Sequence, residues 1–137
     1  MSAMDEQIGG THYKNGGVQP FELSHANDHD GEIHAIQKYL TRFRLKSGVA
    51  CLRKAQHICA IRVAQIEKWG VLEPRTRGIN IEDYIESWGM TATQSAIVRM
   101  VESWHMVTDV DHEKTCQIIQ KRIDDLIAEE YPEEESV

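Results

Sequence analysis

The stretch KYLTRFRLKSGVACLRKA, from Lys38 to Ala55, decides the fold because it predicts two helices joined at Ser47-Gly48. Apolar residues recur at helical spacing on both sides of that joint, and glycine disfavours a continuous helix. The surrounding window from Ile33 to Ile66 contains no Asp or Glu. It carries seven cations: Lys38, Arg42, Arg44, Lys46, Arg53, Lys54 and Arg62. The sequence therefore predicts a strongly cationic pair of helices.

The charge of this window contrasts with that of the rest of the chain. The formal net charge of the whole chain is −7, so the remainder, without those seven cations, stands at −14. Long nucleic acids prefer a broadly basic surface, which a chain with 22 acidic and 15 basic residues does not offer. A local cluster of cations suits a compact phosphate-bearing molecule. We expect a small anionic ligand, and a solvated basic helix face remains the alternative.

Length and composition indicate one domain. A chain of 137 residues is long enough to bury a core. It has no run of about 18 apolar residues that would predict a membrane span, and its polar, acidic start is unlike a signal peptide. Cys51, Cys59 and Cys116 are odd in number and lack CxxC spacing, which favours free thiols in a reducing compartment. We expect a cytoplasmic protein with no membrane segment.

Periodicity and capping residues predict a mainly α-helical bundle with a turn-rich N-terminal arm over Gly9 to Gln19. A short helix from Phe21 to Ala26 has Pro20 at its first turn, and the next follows Asp28 or Asp30 as N-cap. Further helices are predicted from Val49 to about Trp69, Glu82 to Trp88, Thr91 to Trp104 and Asp111 to Glu130, capped by Asn80, Thr91 and Asp109 or Asp111. We expect the acidic tail from Glu129 to fray.

The second half of the chain resembles a degenerate copy of the first. A shift of about 61 positions aligns Ala35-Ile36 with Ala96-Ile97 and Gln56 with Gln117. The cations of the first copy are mostly lost, since Arg42 aligns with Ser103. The single domain, 1–137, thus divides into a ligand-binding half (8–69), a second helical half (80–130) and an acidic tail (131–137). A chance match between two amphipathic helix pairs is the alternative to a repeat.

Metal ligation and the common nucleotide motifs also bear on function. Six residues with oxygen or imidazole ligands cluster within ten positions: His25, Asp28, His29, Asp30, Glu32 and His34. A turn and an N-cap account for the aspartates without a metal, so no metal ligand and no cofactor is assigned. The chain has no Walker lysine loop, GxSxG elbow or dinucleotide fingerprint. No catalytic residue is assigned either.

Two segments together suggest a family: HYKNGGVQPFEL from His12 to Leu23 and KYLTRFRLKSGVACLRKAQHI from Lys38 to Ile58. They resemble a phage family of unknown-function proteins that includes the small nucleotide kinase of podovirus-type coliphages, an enzyme without a Walker motif. The resemblance covers roughly residues 8 to 66. It implies a mostly helical, homo-oligomeric phage protein that handles nucleoside phosphates in an infected bacterium. The matching positions are His12, Tyr13, Lys14, Gln19, Pro20, Lys38, Tyr39, Arg42, Lys46, Gly48, Leu52, Lys54 and Ala55.

The chain also departs from the family's pattern. His34-Ala35 replaces a Gly-Asn pair, and Ala50-Cys51 replaces an acidic Glu-Asp pair. The cations are kept while polar and acidic groups are lost. Phosphoryl transfer needs charge neutralisation and a group that orients or deprotonates the acceptor, whereas binding needs only the first.

Three functions remain open. The first is a non-catalytic sponge that sequesters a nucleotide signal of host antiviral defence, cyclic nucleotides included. Phosphates would contact Lys38, Arg42, Lys46, Arg53 and Lys54, a base would stack on His12, Tyr13 or Tyr39, and Lys14 would help to cover the ligand. The second is a nucleoside monophosphate kinase, in which the same cations stabilise the transferred phosphoryl group and His12 or His57 assists. The third is an interaction protein without a ligand. The lost acidic positions favour the sponge.

Overall fold

A computed structural model describes residues 17–73 and 78–134, and within these ranges it contains helices and no strands. The helices are α1 (Pro20–Ala26), α2 (Gly31–Arg42), α3 (Val49–Trp69), α4 (Ile81–Trp88), α5 (Ala92–Met106) and α6 (His112–Glu130). Short 3-10 turns follow α2 at Phe43–Leu45 and α6 at Pro132–Glu134. The mainly helical fold is confirmed. The predicted arm lies, except for its last three residues, outside the described ranges.

Capping side chains fix the starts of the helices where the sequence placed them. The Asp30 carboxylate accepts from the N–H of Ile33, and Asp111 does the same for the N–H of Lys114. Asn80 and Thr91 cap α4 and α5 with their side-chain oxygens. These bonds satisfy amide groups that have no partner within the helix. The alternatives Asp28 and Asp109 are therefore not the caps.

The joint between α2 and α3 lies at the predicted glycine. Gly48 has a φ of +55°, which a residue with a Cβ rarely adopts. A Cβ there would also stand 3.1 Å from the hydroxyl oxygen of Tyr131. The N–H of Gly48 donates to the carbonyl of Phe43 at 2.9 Å, so the 3-10 turn and the glycine together end one helix and start the next. The chain reverses direction at this joint, so that α3 packs against α2.

Four helices form the bundle. α2 packs on α3 and α5, and α6 completes the ring by packing on α3 and α5, while α1 lies on α2 and α4 on α5. One continuous core includes residues from both predicted halves of the chain. The predicted stripe of Ile33, Ile36, Leu40 and Phe43 is fully buried. Val63 is only partly buried, because α3 presents its last turns to solvent.

The three tryptophans, expected in the bundle or at a subunit interface, have different environments. Trp104 is buried in the core, and its indole N–H donates to His112 Nδ1 at 2.9 Å. Trp88 is half-buried and donates to the carbonyl of Val18. Trp69, at the end of α3, is 75% exposed. Only Trp104 thus fills the bundle.

The predicted fraying of the acidic tail is wrong for Glu129 and Glu130, and residues 135–137 lie outside the described ranges. α6 runs to Glu130, and the chain then forms a 3-10 turn. Thr93 donates to the carboxylate of Glu129 and Arg44 donates to that of Glu130, so both acids are tied to the bundle.

Helix positions in the two halves follow the same order. α4 begins 61 positions after α1, and α5 begins 61 positions after α2. α3 and α6 end 61 positions apart. This spacing equals the shift seen in the sequence, but order alone does not show a common origin, so the repeat stays a prediction.

Within the described residues, no helix is long and apolar enough to cross a bilayer.

Candidate functional site

The cations predicted to share one ligand site lie in different places. Arg53, on α3, faces α6, where its guanidinium donates to Asp124 at 2.8 Å and to the side-chain oxygen of Gln56 at 2.8 Å. Lys46 is exposed in the turn before α3. Arg42 is only 5% exposed and lies among protein groups. The roles of all three in binding stay predictions.

Lys38, Tyr39 and Lys54 are the predicted site residues that the structure brings together. The Lys38 Nζ lies 4.9 Å from the centre of the Tyr39 ring, and the Lys54 Nζ lies 5.8 Å from it. Lys38 and Tyr39 come from α2 and Lys54 from α3, so the packing of these two helices creates the cluster. Tyr39 is half-buried against the core, which fixes its ring. We call these three residues the α2–α3 cationic surface.

The two ammonium groups of this surface lack acidic partners. Within the described ranges, neither Lys38 nor Lys54 forms an ion pair or a hydrogen bond to the chain. Other cations of the chain do pair with a carboxylate: Arg44, Arg53, Arg62, Arg99 and Lys121. Two neighbouring positive charges over one ring therefore remain available to an anion. The remaining predicted site residues, His12, Tyr13 and Lys14, lie outside the described residues.

A buried polar cluster, which the sequence did not predict as a site, lies where α1, α2 and α5 meet. Its centre is the carboxylate of Glu102, which His29 Nε2 contacts at 2.9 and 3.1 Å. The side-chain amides of Asn27 and Gln37 donate to the same carboxylate at 3.0 and 3.3 Å. His105 contacts the carbonyl of Asn27 through Nε2 at 2.9 Å. All five side chains are largely excluded from solvent.

The carboxylate of Glu102 stays ionised in this environment. Burial by itself would raise the pKa of Glu102, but the hydrogen bond and charge of His29, with the bonds from the two amides, outweigh it and lower the pKa below its ordinary value. The nearby His34 behaves differently. Burial, followed by the positive charge of Lys38, lowers the pKa of His34, so its neutral form is favoured. The cluster thus combines a buried anion with a neutral imidazole near its edge.

The sequence contains a signal that would have revealed part of this cluster. Glu102 and His105 occupy the inner face of α5, at helical spacing with Val98 and Val101. A polar residue on such an apolar stripe must find a buried partner. The partner, His29, is 73 positions away and belongs to the group considered above for metal ligation. Among the residues that the structure describes, no group of three or more His, Cys, Asp or Glu is placed to hold a metal ion.

A buried ion pair fixes the start of α2. Arg62 on α3 donates to Asp30, and the guanidinium also lies 5.0 Å from the Trp104 ring. Asp30 therefore caps α2 with one oxygen and binds Arg62 with the other. Arg62, one of the seven cations of the charged window, thus has a structural role.

Comparison of the chain with protein-family models, with curated proteins and with solved structures found no match.

Proposed function

We infer that the protein binds a small phosphate-bearing nucleotide at the α2–α3 cationic surface and retains it without turning it over. One observation carries this proposal: Lys38 and Lys54 place two ammonium groups over the Tyr39 ring with no acidic partner among the described residues. Both ammonium groups lie near the same ring, so their like charges repel each other. A phosphate dianion between them would relieve that repulsion and accept charge-assisted hydrogen bonds from both.

The environment of Tyr39 favours a phosphate over a stacked base at this position. The ammonium groups of Lys38 and Lys54 lie over the ring, where they interact favourably with its π electrons. A base that stacked on the ring would have to displace them. We therefore assign the ring to holding the lysines in place and the lysines to binding phosphate. The base would contact other residues, with His12 and Tyr13 the sequence's candidates.

The composition of the two helices supports retention rather than phosphoryl transfer. No Asp or Glu lies between Ile33 and Ile66, so neither the second half of α2 nor α3 up to that point offers a carboxylate beside the lysines. Positions 50 and 51, acidic in the family that the chain resembles, are Ala50 and a buried Cys51. A kinase needs a group to orient or deprotonate the phosphate acceptor. The proposed setting is a phage protein, homo-oligomeric in the cytoplasm of the host, that sequesters a defence nucleotide.

Binding measurements on matched variants test this proposal. Pure protein would be titrated calorimetrically with a panel of linear and cyclic nucleotides, and then compared with Lys38→Gln, Lys54→Gln and Arg53→Gln. Each lysine variant should weaken binding about 10- to 100-fold, because a charge-assisted hydrogen bond contributes about 1.5 to 3 kcal/mol. Arg53→Gln tests the wider set of cations that the sequence predicted: because the guanidinium pairs with Asp124, we expect this variant to bind as the parent does.

The fate of the ligand separates sponge from kinase. After incubation the protein would be denatured and the released material separated by ion-exchange chromatography. A depleted nucleotide that is recovered unchanged supports retention. New diphosphate from a monophosphate and a triphosphate donor would show a kinase instead. Equal affinities of the parent and both lysine variants would remove the α2–α3 cationic surface as the site.

A further inference from the structure

The hydroxyl group of Ser24, on α1, lies between two imidazoles. Its Oγ is 2.9 Å from His29 Nδ1 and 2.7 Å from His34 Nδ1. His29 in turn contacts the buried carboxylate of Glu102 through its other ring nitrogen, Nε2. A serine, an imidazole and a carboxylate therefore form one continuous chain of hydrogen bonds. This is the order of groups that activates a nucleophilic serine.

Hydrogen-bond accounting gives the direction of this chain for the neutral form of His29, which is the form that can act as a base. An ionised carboxylate only accepts, so His29 Nε2 must carry the proton that it shares with Glu102. In neutral His29 the opposite nitrogen, Nδ1, then has a lone pair, and the Ser24 hydroxyl donates to it. The remaining partner of Ser24, His34 Nδ1, donates to Oγ. The serine proton thus points at a base whose tautomer is set by a buried anion.

The geometry of these groups is held by the fold. The His29 side chain has no exposure and that of Glu102 only 6%, while the amides of Asn27 and Gln37 fix the carboxylate. The N–H of His29 also donates to the carbonyl of Ser24 at 3.0 Å, which couples the two residues through the backbone. Between them Asp28 has a φ of +56°, an uncommon conformation for a residue with a Cβ. The turn is therefore shaped to bring His29 back onto α1.

A hollow gives access to the serine. Its volume is about 940 Å³, and Ser24, His29 and His34 all line it. Phe21, 58% exposed, stacks on His34 with ring centres 5.0 Å apart and forms an apolar wall. His25 lines the same hollow. The Ser24 side chain is partly exposed there, whereas its base and the carboxylate are covered.

We propose that Ser24 is a catalytic nucleophile toward small carboxylic esters, with His29 as its base and Glu102 as a positioning residue. Ser24 Oγ forms a bond to the carbonyl carbon and its proton moves to His29 Nδ1. The ester's C–O bond then breaks, and His29 returns the proton to the departing alkoxide, which leaves as an alcohol. Water next attacks the acyl-serine and gives a proton to His29, which passes it back to Ser24 Oγ as the carboxylic acid departs. This proposal does not depend on nucleotide binding.

A fluorophosphonate reagent tests the nucleophile directly, because Ser24 Oγ would form a bond to phosphorus and release fluoride. We expect one adduct per chain by intact mass, mapped by peptide sequencing to Ser24. Ser24→Ala should abolish it. Ser47→Ala, at an exposed serine outside the hollow, is the matched control and should label as the parent does. Labelling in 8 M urea should fall at least about 100-fold, since the activation by His29 exists only in the folded chain.

Two further measurements distinguish a catalytic role from a structural one. Glu102→Gln should slow labelling at least about tenfold, because an amide replaces the carboxylate that sets the tautomer of His29. Hydrolysis of p-nitrophenyl acetate should show a burst of one nitrophenolate per chain that Ser24→Ala lacks. The proposal is overturned if native and urea-treated protein label equally, if the adduct lies on another serine, or if parent and Ser24→Ala hydrolyse the ester at the same rate.

Discussion

Replacing Asp30 with Asn should destabilise the protein strongly, because it leaves the Arg62 guanidinium charged and buried. The Arg62 side chain is 3% exposed and that of Asp30 11%. Asn is as good an N-cap as Asp, so the bond to the N–H of Ile33 survives, and the substitution removes the charge of Asp30 together with its bond to Arg62. The NH2 group of the introduced side chain would also face the N–H groups of Arg62, and two donors cannot form a hydrogen bond with each other.

The magnitude follows from the burial of the pair. Removing one partner of a buried ion pair costs about 3 to 5 kcal/mol. The partial exposure of Asp30 lets water reach the site, so we expect the lower end, about 3 kcal/mol. With a urea dependence of about 2 kcal/mol per molar, the midpoint of unfolding should fall by about 1.5 M. Arg62→Met should cost less, because it removes the charge itself and fills a similar volume.

Urea unfolding followed by circular dichroism at pH 7 measures this effect. The double variant Asp30→Asn with Arg62→Met should be more stable than Asp30→Asn alone, since no charge is then left buried. Arg53→Met is the matched control: its pair with Asp124 is about half exposed on both sides, and such pairs contribute less than about 1 kcal/mol. If Asp30→Asn costs no more than Arg53→Met, the buried charge of Arg62 does not depend on Asp30.

Three other outcomes are expected. The free energy of unfolding should fall on acidification, first below the ordinary pKa of His34, 6.5, and again below that of Glu102, 4.5. Both pKa values are lowered in the folded state, so unfolding takes up protons at these pH values. A pH-independent urea midpoint would contradict this. Burial raises the pKa of Cys59 to about 12, so a disulfide reagent at pH 8 should label it only after unfolding. Tyr84→Phe should cost about 1 kcal/mol in urea unfolding, because the buried Thr41 hydroxyl loses its 2.7 Å contact with the phenol; an unchanged midpoint would show that this contact contributes nothing.

Much of the fold follows from local sequence signals. Asn80 and Thr91 cap the helices that they were predicted to cap, and Asp30 and Asp111 are each one of the two predicted alternatives. Gly48, the predicted joint, lies directly before α3. Caps and joints depend on residues within about one helical turn, so a sequence window contains them whole. The apolar stripe of α2 became core for the same reason, since a helix fixes which residues share a face.

The candidate sites were harder to predict because their members come from distant positions. The cationic window included Lys38 and Lys54, but it gave no means of separating them from Arg53, which pairs with an acid 71 positions away. Glu102 was missed because its hydrogen-bond partner, His29, lies 73 positions earlier in the chain.

The sequence by itself determined the predicted helices, the capping residues of α4 and α5, and the charge of the α2 and α3 segment. Only the tertiary structure decided which cations have a carboxylate partner and which residues surround Ser24. The physical reason is that helix formation is governed by contacts one turn apart, whereas the partner of a side chain depends on how its helix is rotated and packed against the others. Lys38 and Lys54 both lie near the Tyr39 ring because α2 packs against α3.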